Sequence, residues 1–231
     1  MRALLLDIEG TTTPISFVTE SLFPFARQRL EEACREAQSG SPTAAAVELL
    51  RAEHEIEKNQ GDEDLPEFGT GAPFAAYLMD RDRKSTGLKA LQGIIWRQGY
   101  ISGALRGRVF PDVVPALERW QKRGLRARIF SSGSVQAQKL LFSYNEHGDL
   151  TRLFEGYHDT TTGAKKEPSS YSLIAQAFDL EASEILFLSD VVDELDAARA
   201  AGKATGLLER PGNQPVDDNN HPTYQTFDQL D

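Results

Sequence analysis

The apolar run Ala3-Leu4-Leu5-Leu6 stops abruptly at Asp7-Ile8-Glu9-Gly10-Thr11. A short, continuous apolar stretch with polar groups collected at its carboxyl end is the pattern of a parallel strand buried on both faces. The plan recurs less cleanly in Ala127-Arg128-Ile129-Phe130 followed by Ser131-Ser132-Gly133-Ser134. It recurs again in Ile185-Leu186-Phe187-Leu188 followed by Ser189-Asp190. Ala204 to Leu208, after Gly202, reads as a fourth strand.

Helical spacing fills the intervals. Asp112 is placed to cap a helix with Val113, Leu117 and Trp120 on one face, stopped by Gly124. Pro115 falls in its first turn, where proline is tolerated. Ser134 is placed to cap a helix bearing Val135, Leu141 and Phe142. Pro168 suits a first helical position ahead of Tyr171, Ile174, Ala175 and Phe178. Leu195, Ala198 and Ala201 belong to another helix that ends at Gly202. Strands alternating with helices predict an α/β fold with a Rossmann-like, doubly wound parallel sheet.

Residues 19–104 break this rhythm, with helical patterns and no convincing strand. Asn59 to Gly71, polar and interrupted by Gly and Pro, reads as a loop between helices. The expected organisation is a core domain of residues 1–18 and 105–231, with a helical domain of residues 19–104 inserted after the first strand. The tail from Arg210 to Pro222 is rich in turn formers, and a short strand or helix is expected between Tyr224 and Leu230.

Composition narrows the partners. The 231 residues are 40% hydrophobic and 26% charged, ordinary for a globular protein. The formal net charge of −10 argues against nucleic acid or an anionic membrane as partner, though a metal can reverse the field in one pocket. A lone cysteine, Cys34, cannot form an internal disulfide. The first apolar run is too short for a signal peptide and no stretch suits a membrane span, so a cytoplasmic location is expected.

In an open α/β sheet, ligands bind beyond the carboxyl ends of the strands. Asp7 and Glu9 follow the first strand, Ser131 to Ser134 the second, and Asp190 the third. Paired carboxylates repel, and a hard divalent cation such as Mg²⁺ relieves the repulsion with few protein ligands. The cation would also shield a phosphate from an attacking carboxylate, and an aspartate can form an aspartyl-phosphate that water later cleaves. The plainer reading, that Asp7 and Glu9 merely end a strand and cap a helix, fits position alone equally well. The serine run could cradle phosphate oxygens with hydroxyls and helix-start N–H groups, or act only as a turn and cap. Lys165 and Lys166 precede a helix entry, where a lysine could neutralise phosphate; as a pair they also suit solvated surface. Asp193, Glu194 and Asp196 suit a solvated helix start. His54, His147, His158 and His221 show no zinc spacing, and surface or capping roles are expected for them.

Together these residues resemble the haloacid dehalogenase superfamily. Its four motifs correspond here to Asp7-Ile8-Glu9-Gly10-Thr11, Ser131, Lys165 and Ser189-Asp190. Lys165, rather than Lys166, fits the superfamily spacing to Pro168 and Tyr171. The helical insert looks like the superfamily's cap. Glu9 departs from the usual aspartate. Asp7-Ile8-Glu9-Gly10-Thr11-Thr12, Leu91 to Trp96, Gly99-Tyr100, Phe130 to Phe142 and Arg210-Pro211-Gly212-Asn213 are similar to the enolase-phosphatase family of methionine salvage. That resemblance implies a bifunctional enzyme. It would enolise 2,3-diketo-5-methylthiopentyl 1-phosphate and then hydrolyse the ester to the acireductone and phosphate. It implies one Mg²⁺ per subunit on Asp7, the Glu9 position through its backbone carbonyl, and Asp190. It implies Asp7 as nucleophile, Ser131, Ser132 and Gly133 on substrate, Lys165 on phosphate, Glu194 behind the metal site, and a monomer. Glu9 is a candidate for proton abstraction, a role the motifs leave unassigned. Trp96 and Tyr100 suit either helix core or an apolar slot for the methylthio end. Two alternatives remain: a Mg²⁺-dependent phosphatase of the same superfamily acting on a small sugar or nucleotide phosphate, and a receiver-like signalling module with an acceptor aspartate.

Overall fold

A computed structural model describes residues 1–216 and 219–230. Among them, six strands form one parallel sheet: β1 (Ala3–Leu6), β2 (Arg126–Phe130), β3 (Gly156–His158), β4 (Ile185–Ser189), β5 (Ala204–Leu208) and β6 (Thr223–Tyr224). Their order is β3-β2-β1-β4-β5-β6. The chain winds outward from β1 through β2 to β3, then returns to the other side of β1 for β4. The order of winding therefore reverses between β1 and β4, the place where an open parallel sheet forms its ligand crevice at the carboxyl ends of the strands.

The continuous apolar strands follow from burial on both faces. Ala3, Leu5, Phe130, Ile185, Phe187 and Leu207 pack with Tyr171, Ile174 and Phe178 of one helix (Pro168–Phe178) and Leu195 and Ala198 of another (Val192–Ala200). Side chains alternate along a strand, so Leu4, Leu6, Ile129, Leu186 and Leu188 must point to the opposite face, and they too are buried.

Two compact units make up the chain: one joins Met1–Val18 to the chain from Arg106 onward, the other is Thr19–Leu105. The second unit is helical, with α1 (Phe23–Arg27), α2 (Leu30–Arg35), α3 (Pro42–Asn59), α4 (Ala72–Asp80) and α5 (Thr86–Ser102). Its core gathers Leu50, Phe74, Leu78, Leu91 and Ile95. Serine caps start its two long helices: Ser41 accepts from Ala44 N–H and Ser85 from Leu88 N–H. Tyr100 is buried, and Trp96 is half-buried with its indole N–H donated to Leu22 O at 2.9 Å. His54 is no surface group: it lies in this core, edge-on to Phe68 and Phe74, with Nε2 2.8 Å from Pro66 O. His221, in the other unit, is also buried, against Thr205 and Asp196.

The sheet unit adds α6 (Val113–Lys122), α7 (Val135–Ser143), α8 (Pro168–Phe178) and α9 (Val192–Ala200). Ser134 caps α7 by accepting from Ala137 N–H, and Pro168 opens α8. Asp112 does not cap α6, contrary to the sequence expectation. Its carboxylate is taken by Arg210 at 2.7 Å and by Phe227 N–H at 2.6 Å. A buried guanidinium outcompetes a helix terminus for a carboxylate, because leaving it unpaired costs more than leaving the first turn to water. Arg210 is further held between the Phe110 and Phe227 rings. The strand β3 escapes the sequence pattern because it is a three-residue edge strand of Gly-Tyr-His. Near the tail, β6 and a short 3₁₀ turn (Phe227–Gln229) supply both the strand and the helix between which the pattern does not choose. No helix among the described residues is long and apolar enough to cross a membrane.

Asp112→Ala should cost roughly 3–5 kcal/mol in chemical denaturation, the scale of an orphaned buried charge. A loss near 1 kcal/mol, the scale of a cap, would show the pair to be unimportant. Lys203, 4% exposed between α9 and β5, has no hydrogen-bond partner for Nζ, and burial lowers its ammonium from 10.5 to about 8. Between those two values the unfolded chain binds more protons, so stability should rise with pH across that window; below it the full burial penalty stands. Lys203→Met should raise the melting temperature at pH 7 by about 5 °C and abolish that rise, as read by thermal melts across pH.

Candidate active site

The β1–β4 crevice is lined by the segments that leave the carboxyl ends of these two strands. After Leu6 the chain turns tightly: Ile8 O accepts from the N–H groups of Thr11, Thr12 and Thr13, and Gly10 N–H donates to Thr13 O at 2.9 Å. Thr12 Oγ1 donates to Asp7 O at 3.0 Å. Gly10 has φ +66, and a Cβ there would lie 2.2 Å from Asp190 Oδ2. The missing side chain thus lets the Asp190 carboxylate rest against the turn that follows Asp7.

Asp7 is 4% exposed. Its Oδ1 accepts from Ile8 N–H at 2.7 Å, and Oδ2 lies 2.7 Å from Lys165 Nζ and 3.1 Å from Ser189 Oγ. Lys165 Nζ also lies 2.6 Å from Glu194 Oε2. Ser189 Oγ is 3.0 Å from the same Glu194 oxygen and accepts from Val191 N–H. Its single hydrogen can go to Asp7 or to Glu194, but only to one at a time. Lys165 is carried by the loop before α8, whose carbonyls are pinned from the helix: Tyr171 Oη donates to Lys165 O at 2.6 Å and Ser170 Oγ to Ala164 O at 2.7 Å. Lys166 points elsewhere, to the exposed Asp193 at 2.7 Å.

The charges are uneven. Burial lowers the Lys165 ammonium, but facing Asp7 and Glu194 outweighs it and holds the group above its ordinary range. Burial, then the charge of Asp7, pushes Asp190 up to about 7, with a smaller push from Glu9. Burial and Asp7 also raise Glu194, against the opposing pull of Lys165. Asp7, Asp190 and Glu194 are three carboxylates around one lysine, an excess that a divalent cation would offset. Among the described residues no three His, Cys, Asp or Glu side chains gather as a ready-made metal cage. Asp7, Asp190 and a backbone carbonyl at Glu9 fit Mg²⁺ better than they would fit zinc: all are oxygen donors, few in number, which leaves positions for water. Glu9 itself is exposed.

On the other side of β1, Leu6 is level with Ile129 of β2, so Ser131 lies just beyond the level of Asp7 along the neighbouring strand. Ser131 is buried and Ser132 exposed. Gly133 N–H donates to Ser131 Oγ at 3.2 Å, and Ser131 N–H to His158 O at 3.1 Å. Several residues that shape the site carry no sequence signal of their own role. Tyr171 reads as a helix-face residue, while Gln138, Asp159 and Asn213 are tied to their loops only by contacts that the fold creates.

A haloacid dehalogenase-like hydrolase model matches residues 1–202. Enolase-phosphatase E1 of Synechococcus elongatus is 47% identical over 235 residues, covering 100% of this chain and 98% of the relative. That of Yersinia enterocolitica is 48% identical over 231 residues, covering 100% and 97%. The chain belongs to the enolase-phosphatase E1 family. Among solved structures, UTR4 protein of Saccharomyces cerevisiae is 38% identical with a TM-score of 0.81, covering 99% of each chain. A predicted phosphoglycolate phosphatase of Haemophilus somnus, at 15% identity and a TM-score of 0.60 over 100% and 96%, shares the fold alone. The match to enolase-phosphatases E1 runs through both the sheet unit and the helical unit.

Gly10→Ala should abolish turnover, because the added methyl must displace Asp190 and also strains a positive φ. Steady-state assays should show the loss with a far-ultraviolet circular dichroism spectrum like that of the parent. Activity within threefold of the parent would mean that Asp190 need not lie against this turn.

Proposed function

We propose that this protein is a Mg²⁺-dependent enolase-phosphatase acting on 2,3-diketo-5-methylthiopentyl 1-phosphate in methionine salvage. The observation that carries this reading is 47% identity to an enolase-phosphatase E1 over the whole chain, helical unit included, whereas a predicted phosphatase of other specificity matches the same length at only 15% identity. The helical unit takes the part of the cap.

Asp7 is the nucleophile. Its Oδ1 is occupied by the Ile8 N–H and its Oδ2 by Lys165 and Ser189, so the carboxylate is fixed in orientation before substrate arrives. Attack on phosphorus forms an aspartyl-phosphate and expels the enol oxygen; water then cleaves the acyl-phosphate and regenerates Asp7. Lys165 meets the phosphate charge, and Glu194 keeps the ammonium beside Asp7 when that charge is taken up. Ser131, Ser132 and Gly133 hold the substrate from the β2 side. Glu9, the exposed carboxylate beside the site, is the candidate for moving the proton in enolisation. Mg²⁺, held by Asp7, Asp190 and the Glu9 carbonyl, would shield phosphate charge and stabilise developing oxyanion charge.

With Mg²⁺ and the diketo phosphate, the protein should give both an enediol absorbance and free phosphate, and chelator should remove both. Phosphate release from other esters but not from this one would move the reading to a general phosphatase. A stable aspartyl-phosphate without turnover would make it a signalling module. Asp7→Asn should abolish phosphate release, while Lys165→Ala should reduce it far more than Lys166→Ala. Steady turnover by Asp7→Asn would remove Asp7 as nucleophile.

A further inference from the structure

On each side of the crevice a single side-chain amide ties a site loop to the last residue of a neighbouring strand. Gln138 of α7, 2% exposed, donates from Nε2 to Gly133 O at 2.7 Å and to His158 O at 2.8 Å. Asn213 donates from Nδ2 to Gly10 O at 2.9 Å and to Leu208 O at 2.9 Å. His158 ends β3 and Leu208 ends β5. Two carbonyls can be satisfied only by the NH₂ end of an amide, so chemistry sets both amide orientations.

A trans peptide holds its C=O and N–H on opposite sides. Fixing Gly133 O on Gln138 therefore turns the Ser134 N–H away from that brace, at the start of α7. Asp159 strengthens the arrangement, with Oδ2 taking Val135 N–H at 2.9 Å and Oδ1 taking Thr161 N–H and its hydroxyl. On the other side, fixing Gly10 O on Asn213 sets the peptide that follows the Glu9 carbonyl, and Arg210 Nε holds Thr11 O at 3.2 Å.

We infer that Gln138 and Asn213 are positioning residues with divided duties: Gln138 sets the serine loop for the phosphate, and Asn213 sets the turn after Asp7 for the cation. This rests on the reading of the site as a Mg²⁺-dependent phosphatase centre. Each acts through the backbone carbonyl it holds.

The test is titration calorimetry on the full chain below the lowest melting temperature of the set. Mg²⁺ is titrated alone, then inorganic phosphate at saturating Mg²⁺. Gln138→Met should weaken phosphate by about tenfold and leave Mg²⁺ within about twofold, whereas Asn213→Ala should weaken Mg²⁺ by about tenfold, the scale of lost outer-shell support. If either variant fails to fold, Gln138→Asn, which shortens the reach, and Asn213→Ser, which keeps a donor, are read the same way. A purely structural role would lower melting temperatures and shift both affinities together or neither, and that result overturns the inference. Wild type that binds no Mg²⁺, or an Asp190→Asn variant that binds it normally, overturns the cation centre and with it the duty given to Asn213. Normal binding by wild type with no division between the variants overturns the inference alone.

Discussion

A buried lysine between two carboxylates is the interaction on which the crevice depends. Lys165 Nζ lies within 2.7 Å of both Asp7 and Glu194, and all three are largely removed from water. Each charge alone would be expensive to bury; together they offset one another, and Ser189 adds its one hydroxyl hydrogen to one or the other carboxylate. The rest of the sheet unit serves this arrangement. The strand order brings β1 and β4 side by side, the loop before α8 is anchored by Tyr171 and Ser170, and the helix after β4 carries Glu194 back toward the lysine.

The same crowding explains the asymmetry between the carboxylates. Asp7 is held by donors, whereas Asp190, against the bare backbone of Gly10, is pushed toward its neutral form by burial and by Asp7. A site built this way is short of positive charge, in a protein already short of it overall. An anionic substrate needs compensation there, and the oxygen donors suit a hard cation.

Much of the sheet was legible in the sequence because strands buried on both faces leave continuous apolar runs. Ala3 to Leu6 and Ile185 to Leu188 are such runs, and the polar residues after them mark the crevice at which Asp7 and Asp190 sit. Strand β3 was not legible: a short edge strand has neither a run nor an alternation to betray it. Asp112 misled for a different reason. Position before a helix is a local signal, and its actual partner, Arg210, is distant in the chain. Surface or capping roles are expected for the histidines from the sequence, yet His54 and His221 are both buried, because a histidine's burial depends on which rings and acceptors the fold brings to it. The lysine loop shows the same limit: the sequence marks Lys165 by its distance from Pro168, but the hydroxyl of Tyr171 that pins it becomes visible only when α8 is folded back on the loop.

The turn after Asp7 is closed by residues about two hundred positions away: Arg210 holds Thr11 O and Asn213 holds Gly10 O. During synthesis, Asp7 leaves the ribosome ahead of the whole helical unit, four more strands and the segment that braces its turn. Contacts so remote in sequence are the slowest to form, because the loop entropy is lost before they are made. The first strand can therefore be paired while its turn is still loose. The order of events on the ribosome ends with the closing of this turn rather than beginning with it, and a nascent chain stalled short of Asn213 would carry Asp7 on a turn that lacks the brace on Gly10 O.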